Sequence, residues 1–123
     1  MDEISLELFN PAYLNKLLSF DSMPKDEQKE FTMTFLEEVE MRVNKLKSLV
    51  KNDGKDKIDY EAVHQETHGI IGSAKTFGAV RLAHEAEKLE KMSKTDMDEN
   101  FFSQAEILFQ IFEDTSYLLS QKF

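Results

Sequence analysis

The sequence has no cysteine and no tryptophan, and it has only two prolines and four glycines among 123 residues. The absence of cysteine excludes disulfide bonds, thiol catalysis and zinc–thiolate sites. The scarcity of proline and glycine leaves few turn residues for a fold with many strands. No apolar run approaches the roughly 18 residues that a membrane-spanning helix needs. These absences favour a helical protein that does not cross a membrane.

The charge is strongly acidic, with 24 acidic against 15 basic residues and a net charge of −9. Such a chain gains little from the phosphates of nucleic acids or from an anionic membrane surface, so we expect neither as a partner. The N-terminal residues are acidic and lack the basic and apolar regions of a signal peptide. The sequence therefore predicts a cytoplasmic protein.

Apolar residues recur at spacings of three and four along nearly the whole chain, which predicts helices. We expect them at about residues 11–20, 25–51, 59–76, 80–92 and 98–120. Four substantial helices joined by short connections predict an all-α fold, an antiparallel four-helix bundle with a short additional N-terminal helix. A single domain is expected over residues 1–123, with its core at roughly residues 10–120.

The third predicted helix has an N-cap candidate in Asp59 and a stop signal in Gly78. Its apolar stripe consists of Val63, Thr67, Ile70, Ala74 and Phe77. At about 100° per residue, Ile70 lies about 200° from His68, so His68 is predicted to point away from the core.

His64, Gly72 and Lys75 share the outward face of His68, because they lie four, four and seven residues from it. A glycine inside a helix costs about 1 kcal/mol relative to alanine, so Gly72 needs a reason. Close packing of a neighbouring helix is one. The other is that a bare backbone beside His68 lets the reactive group of another protein approach.

A neutral imidazole is a nucleophile at one nitrogen, while an acceptor can hold the other, so His68 is a candidate phosphoryl acceptor. Lys75 could neutralise part of the phosphate charge. Two alternatives remain open. His68 could be an ordinary solvated histidine, or His64 and His68 could bind a metal as i, i+4 ligands, although only Glu61 offers a further ligand nearby in sequence.

Residues 68–79, HGIIGSAKTFGA, resemble the signature of the histidine-containing phosphotransfer (HPt) domain family. That pattern is His, any residue, an aliphatic, Lys, Gly, two small residues, two variable ones, an apolar residue, Gly and often Ala. Leu82 and the pair Leu89-Glu90 continue the resemblance, and the helix layout agrees over roughly residues 10–120.

The resemblance implies a phosphorelay protein in which His68 carries the phosphoryl group. The group would come from an aspartyl phosphate on a receiver domain of a response regulator or hybrid histidine kinase, or from a kinase core, and pass to another receiver. It also implies a phosphocarrier and not an enzyme, without a nucleotide site or cofactor of its own, because the magnesium belongs to the receiver.

The resemblance further implies that Glu90 orients the imidazole through the ring nitrogen that is not phosphorylated. Alternatively, Glu90 belongs to an ordinary charged helix face, because charged residues surround it: Glu85, Glu87, Lys88 and Lys91.

One departure is Ile71, which stands where the family usually has Lys three residues after the histidine. Ile71 lies about 60° round the helix from His68, so we expect it to be exposed and to contact a receiver together with His64 and Gly72. Lys75 would then supply the missing charge. The departure also keeps a second function open, a module that docks on a receiver without accepting phosphate.

Overall fold

The computed structural model describes residues 7–51, 58–95 and 99–122. Every regular element in these ranges is helical, and the predicted all-α fold is confirmed. The helices are α1 (Pro11–Leu18), α2 (Lys25–Val50), α3 (Tyr60–Phe77), α4 (Val80–Thr95) and α5 (Glu99–Lys122), with a 3₁₀ turn at Phe20–Ser22. The predicted start of the last helix at residue 98 lies outside the described residues.

The four long helices form a closed ring around one core. α2 packs on α3, α3 on α4 and α4 on α5, while α5 also contacts α2 and α1 lies against α3. Only Gly78 and Ala79 connect α3 to α4, so these two helices run antiparallel as close neighbours. None of the helices in the described ranges combines the length and the apolar character needed to cross a membrane.

Both predicted ends of α3 are confirmed. The Asp59 side chain accepts a hydrogen bond of 3.0 Å from the backbone N–H of Ala62, which caps the first turn. Gly78 ends the helix in the left-handed region at φ 88°, where a side chain would be strained. A Cβ there would also overlap the carbonyl oxygen of Asn10, whose N–H donates to the Gly78 carbonyl at 2.7 Å.

Three helix ends differ from the expectation by more than one residue, and one of them is the end of α5 at Lys122, two residues beyond the predicted end. α1 stops at Leu18 because Ser19 adopts a left-handed conformation at φ 50°. Asn15 then holds the following turn, since its side chain accepts from the N–H of Asp21 and donates to the Asp21 carboxylate. At the other end of the molecule, α4 continues to Thr95, three residues beyond the predicted end.

The predicted apolar stripe of α3 is buried, and its five side chains are at most 1% exposed: Val63, Thr67, Ile70, Ala74 and Phe77. The hydroxyl of Thr67 donates to the carbonyl oxygens of Val63 and His64 at 3.0 Å, so this polar group is satisfied inside the core. The buried stripe determines the rotation of α3 and therefore which residues face outward.

An aromatic cluster lies around Phe77. Its ring stacks on Phe35 with centroids 4.3 Å apart and an interplanar angle of 4°. Phe9, Phe20 and Phe31 surround it at centroid distances of 5.7 to 6.1 Å. Because these rings come from α2, α3, the 3₁₀ turn and the segment before α1, the cluster joins four parts of the chain.

We expect Phe77→Ala to lower the free energy of unfolding by about 3–5 kcal/mol, because it removes a fully buried ring and leaves a cavity among four others. Urea denaturation followed by circular dichroism measures this. Met33→Ala is the control, since Met33 is half exposed on α2 and its loss should change stability by less than about 0.5 kcal/mol. Equal effects of the two substitutions would contradict the central place of Phe77.

Candidate functional site

His68 lies in the middle of α3 on the face opposite the buried stripe, and its side chain is 77% exposed. Its Nδ1 lies 3.3 Å from Oε2 of Glu90 on α4. A carboxylate only accepts hydrogen bonds, so this contact is a hydrogen bond in the tautomer that carries the ring proton on Nδ1. Nε2, on the far side of the ring, is then the nucleophilic nitrogen on an exposed side chain.

The position of Glu90 depends on how α4 is held against α5. Glu85, one turn and a half earlier on α4, is fully buried and accepts from Arg81 Nε at 2.7 Å and from Gln104 Nε2 at 2.8 Å. Gln104 also donates to the Glu85 backbone carbonyl at 3.0 Å. Glu85 is therefore buried and not part of the charged face around Glu90, and its hydrogen bonds with Gln104 fix this part of α4 against α5.

His64 faces the same carboxylate as His68. Its Nδ1 lies 3.7 Å from Glu90 Oε2, and the two imidazole rings are 6.0 Å apart with an interplanar angle of 23°. The Nδ1 of His64 is buried and forms no hydrogen bond with any residue in the described ranges. The structure thus brings His64, His68 and Glu90 into one cluster across α3 and α4.

Gly72 is exposed one turn after His68, and a Cβ built there would meet no atom within 4 Å. Close packing of a neighbouring helix therefore does not explain this glycine. A shallow groove of about 280 Å³ between α2 and α3 runs past it, lined by Phe31, Thr34, Phe35, Glu38, Gly72, Ser73, Thr76 and Phe77. The surface beside His68 is open on this side.

The expected exposure of Ile71 is wrong, because its side chain is 9% exposed and belongs to the core. Ile71 lies about 60° from His68 but only about 40° from Thr67, at the edge of the buried stripe. α4 packs closely along this side of α3 and covers it. Ile71 therefore offers a partner little surface.

Lys75 is exposed on α3, and its Nζ forms an ion pair of 3.2 Å with Glu87 Oε1 of α4. The ammonium is thus directed to the same helix that carries Glu90. In this state Lys75 is bound to a carboxylate, and it would have to leave that carboxylate to reach a phosphoryl group on His68.

The comparison with known families agrees with this geometry. The family model of the Hpt domain matches residues 30–114, which is more than half of the chain. The chain belongs to the Hpt domain family. Hpt domains are phosphotransfer modules of two-component signalling that interact with receiver domains, and they are phosphocarriers and not kinases. No curated protein and no solved structure matches the chain.

Two residues of this Hpt domain that sequence reasoning missed are Arg42 and Gly69. Arg42 reaches from α2 across α3, and its guanidinium lies against Gly69, where a Cβ would overlap it. Its Nη1 donates to Glu66 Oε1 at 3.2 Å, and its Nε lies 3.9 Å from Glu38 Oε1. Gly69 directly follows His68 inside the third predicted helix. A glycine in the middle of a helix is the sequence signal that could have pointed to this contact.

A metal site receives no support from the described ranges of this Hpt domain. There, no group of three or more His, Cys, Asp or Glu side chains is placed to hold an ion. His64 and His68 both face one carboxylate oxygen, Oε2 of Glu90, which lies 3.7 Å and 3.3 Å from their Nδ1 atoms.

We expect Glu90→Ala to shift the His68 tautomer, because the acceptor that holds the proton on Nδ1 is removed. ¹⁵N NMR of the imidazole should show the Nδ1–H form in the parent and a larger share of the Nε2–H form in the variant. Glu87→Ala is the matched control, since it removes a carboxylate of the same helix that contacts Lys75 instead. An unchanged tautomer ratio in Glu90→Ala would show that Glu90 does not orient the ring.

Proposed function

We propose that this Hpt domain is a phosphocarrier in a phosphorelay and that Nε2 of His68 accepts the phosphoryl group. The donor is the aspartyl phosphate of a receiver domain, or a kinase, and a second receiver takes the group on. The observation that carries the proposal is the exposed imidazole of His68 with its Nδ1 held 3.3 Å from Glu90.

The proposed transfer step needs no cofactor bound to this chain. The Nε2 lone pair attacks phosphorus, the bond between phosphorus and the aspartyl oxygen breaks, and the carboxylate leaves with the electron pair. Positive charge develops on the ring while Nδ1 keeps its proton. The Glu90 carboxylate, 18% exposed, faces that proton and stabilises the charge. The reverse step on the next receiver returns the neutral ring.

The surroundings of His68 support approach by a second protein. Gly72 leaves the backbone of α3 bare beside the imidazole, and the groove between α2 and α3 continues past it. We assign the partner contact to this side of His68, with His64 on the other side next to Glu90. Lys75 stays a candidate for phosphate charge, provided that it leaves Glu87.

Phosphorylation of His68 predicts acid-labile, alkali-stable phosphate on the chain after incubation with phosphorylated receiver domains of the source organism. His68→Gln should take up none, because glutamine has no nucleophilic ring nitrogen. His84→Gln is the matched control and should take up label like the parent, since His84 lies on α4 six residues, or about 9 Å along the helix, from Glu90. Equal labelling of His68→Gln and the parent would disprove the assignment, and receiver binding without any label would instead indicate a docking module.

If a receiver approaches His68 over Gly72, a large side chain at this position should block the receiver without destabilising the protein. Gly72→Leu adds a helix-favouring side chain into open space, so stability should rise by up to about 1 kcal/mol. Transfer from a receiver should fall at least tenfold, because the leucine occupies the approach to His68. Loading by phosphoramidate, a small phosphoryl donor, should be unchanged.

Gln110→Leu provides the control for this substitution, because it adds the same side chain to the exposed surface of α5. It should affect neither reaction. Receiver-dependent transfer at the parental rate in Gly72→Leu would show that the partner does not approach over Gly72.

A further inference from the structure

A phosphoryl group on His68 would enter an acidic environment. Glu90 faces the ring directly, and Glu66 and Glu38 line the seam between α2 and α3 on the other side. A phosphoryl group carries up to about two negative charges near neutral pH. Some cation has to offset this repulsion if the phosphorylated form is to accumulate.

Neither of the two positions of α3 at which the sequence pattern would place a cation supplies one beside His68 in this structure. Position 71 holds a buried isoleucine. The ammonium of Lys75 is paired with Glu87 towards α4, seven residues or roughly 10 Å along the helix from His68. In this state of the protein, a cation close to His68 has to come from another helix.

Arg42 on α2 brings a cation to the residue next to His68. Its guanidinium packs against Gly69, and its side chain keeps 31% of its surface exposed. A guanidinium has five N–H donors. Within the described residues it makes one hydrogen bond, to Glu66, and its buried Nε makes none. Because Nε is buried, the donors left for a ligand are the remaining N–H groups of Nη1 and Nη2, next to Gly69.

Gly69 is explained by the same contact. Glycine inside a helix is less favourable than alanine, so its presence at mid-helix calls for a local reason. Any side chain at this position would displace the guanidinium from the surface of α3. The pair of an arginine on α2 and a glycine after the histidine places a planar, permanently charged donor against the residue that follows His68.

We propose that Arg42, admitted by Gly69, binds the oxygens of the phosphoryl group on His68 and supplies the charge that Ile71 does not. The inference rests on His68 being the phosphoryl acceptor. When the group arrives, the guanidinium turns from Glu66 and Glu38 towards the phosphoryl oxygens, because a dianion competes with each single carboxylate for the same donors. The competing interpretation is a purely structural ion pair that joins α2 to α3.

The test loads the full chain with phosphoramidate, so that no receiver is needed. The phosphoryl–nitrogen bond of the donor breaks, ammonia leaves after taking up a proton, and phosphorus bonds to Nε2. Arg42→Gln should slow loading roughly five- to tenfold, since one charge-assisted contact in a partly exposed position is lost. Arg42→Lys should recover part of the rate, and the ³¹P chemical shift of the phosphohistidine should move in both variants.

Two further variants separate the proposal from a structural ion pair. Glu66→Gln breaks the pair but keeps the guanidinium, so it should load at least as fast as the parent. Gly69→Ala keeps Arg42 but pushes its guanidinium away, and alanine favours the helix. Its melting temperature should be no lower than that of the parent while its loading is slowed like that of Arg42→Gln.

Lys45→Gln is the matched control, because it removes one positive charge from an exposed position three residues along α2. It should load like the parent. Parental loading by Arg42→Gln, or equal slowing by Arg42→Gln and Glu66→Gln, would overturn the role of Arg42 while leaving His68 as the acceptor. No phosphohistidine in the parent itself would overturn both proposals.

Discussion

Burial of one complete face of α3 against its neighbours is the constraint on which the rest of this structure depends. α3 contacts α1, α2 and α4, and its stripe from Val63 to Phe77 excludes solvent almost completely. Rotating the helix by a single residue would expose part of this stripe and bury polar groups at considerable cost. The core therefore holds His68 outward by fixing the rotation of the helix that carries it.

The two helices beside α3 contribute opposite charges to the site. α4 carries Glu90, which accepts from the imidazole, and the buried network of Glu85 with Arg81 and Gln104 holds that helix in place. α2 carries Arg42, whose guanidinium lies across Gly69. His68 thus lies between a helix that carries an acceptor and a helix that carries a cation, the arrangement on which the proposed phosphoryl transfer relies.

Gly69 and Gly72 show that one residue type serves two purposes on the same helix. At Gly69 the missing side chain is replaced by a guanidinium from α2, whereas at Gly72 the space stays open to solvent. Both positions give up helix propensity. In the first case the loss accommodates a group of this chain, and in the second we assign the space to a partner.

The sequence by itself determined the helices, the buried stripe of α3 and the outward direction of His68, because helical periodicity and capping are local properties. It also pointed to Glu90, through the resemblance to the family. Only the tertiary structure decided that Ile71 is covered and that Glu85 is buried, since angular position on one helix does not tell how closely the next helix packs. The contact of Arg42 with Gly69 was likewise beyond sequence reasoning, because it joins residues 27 positions apart on different helices. The direction of His68 follows from the periodicity of one helix, whereas the charges around it depend on the packing of three.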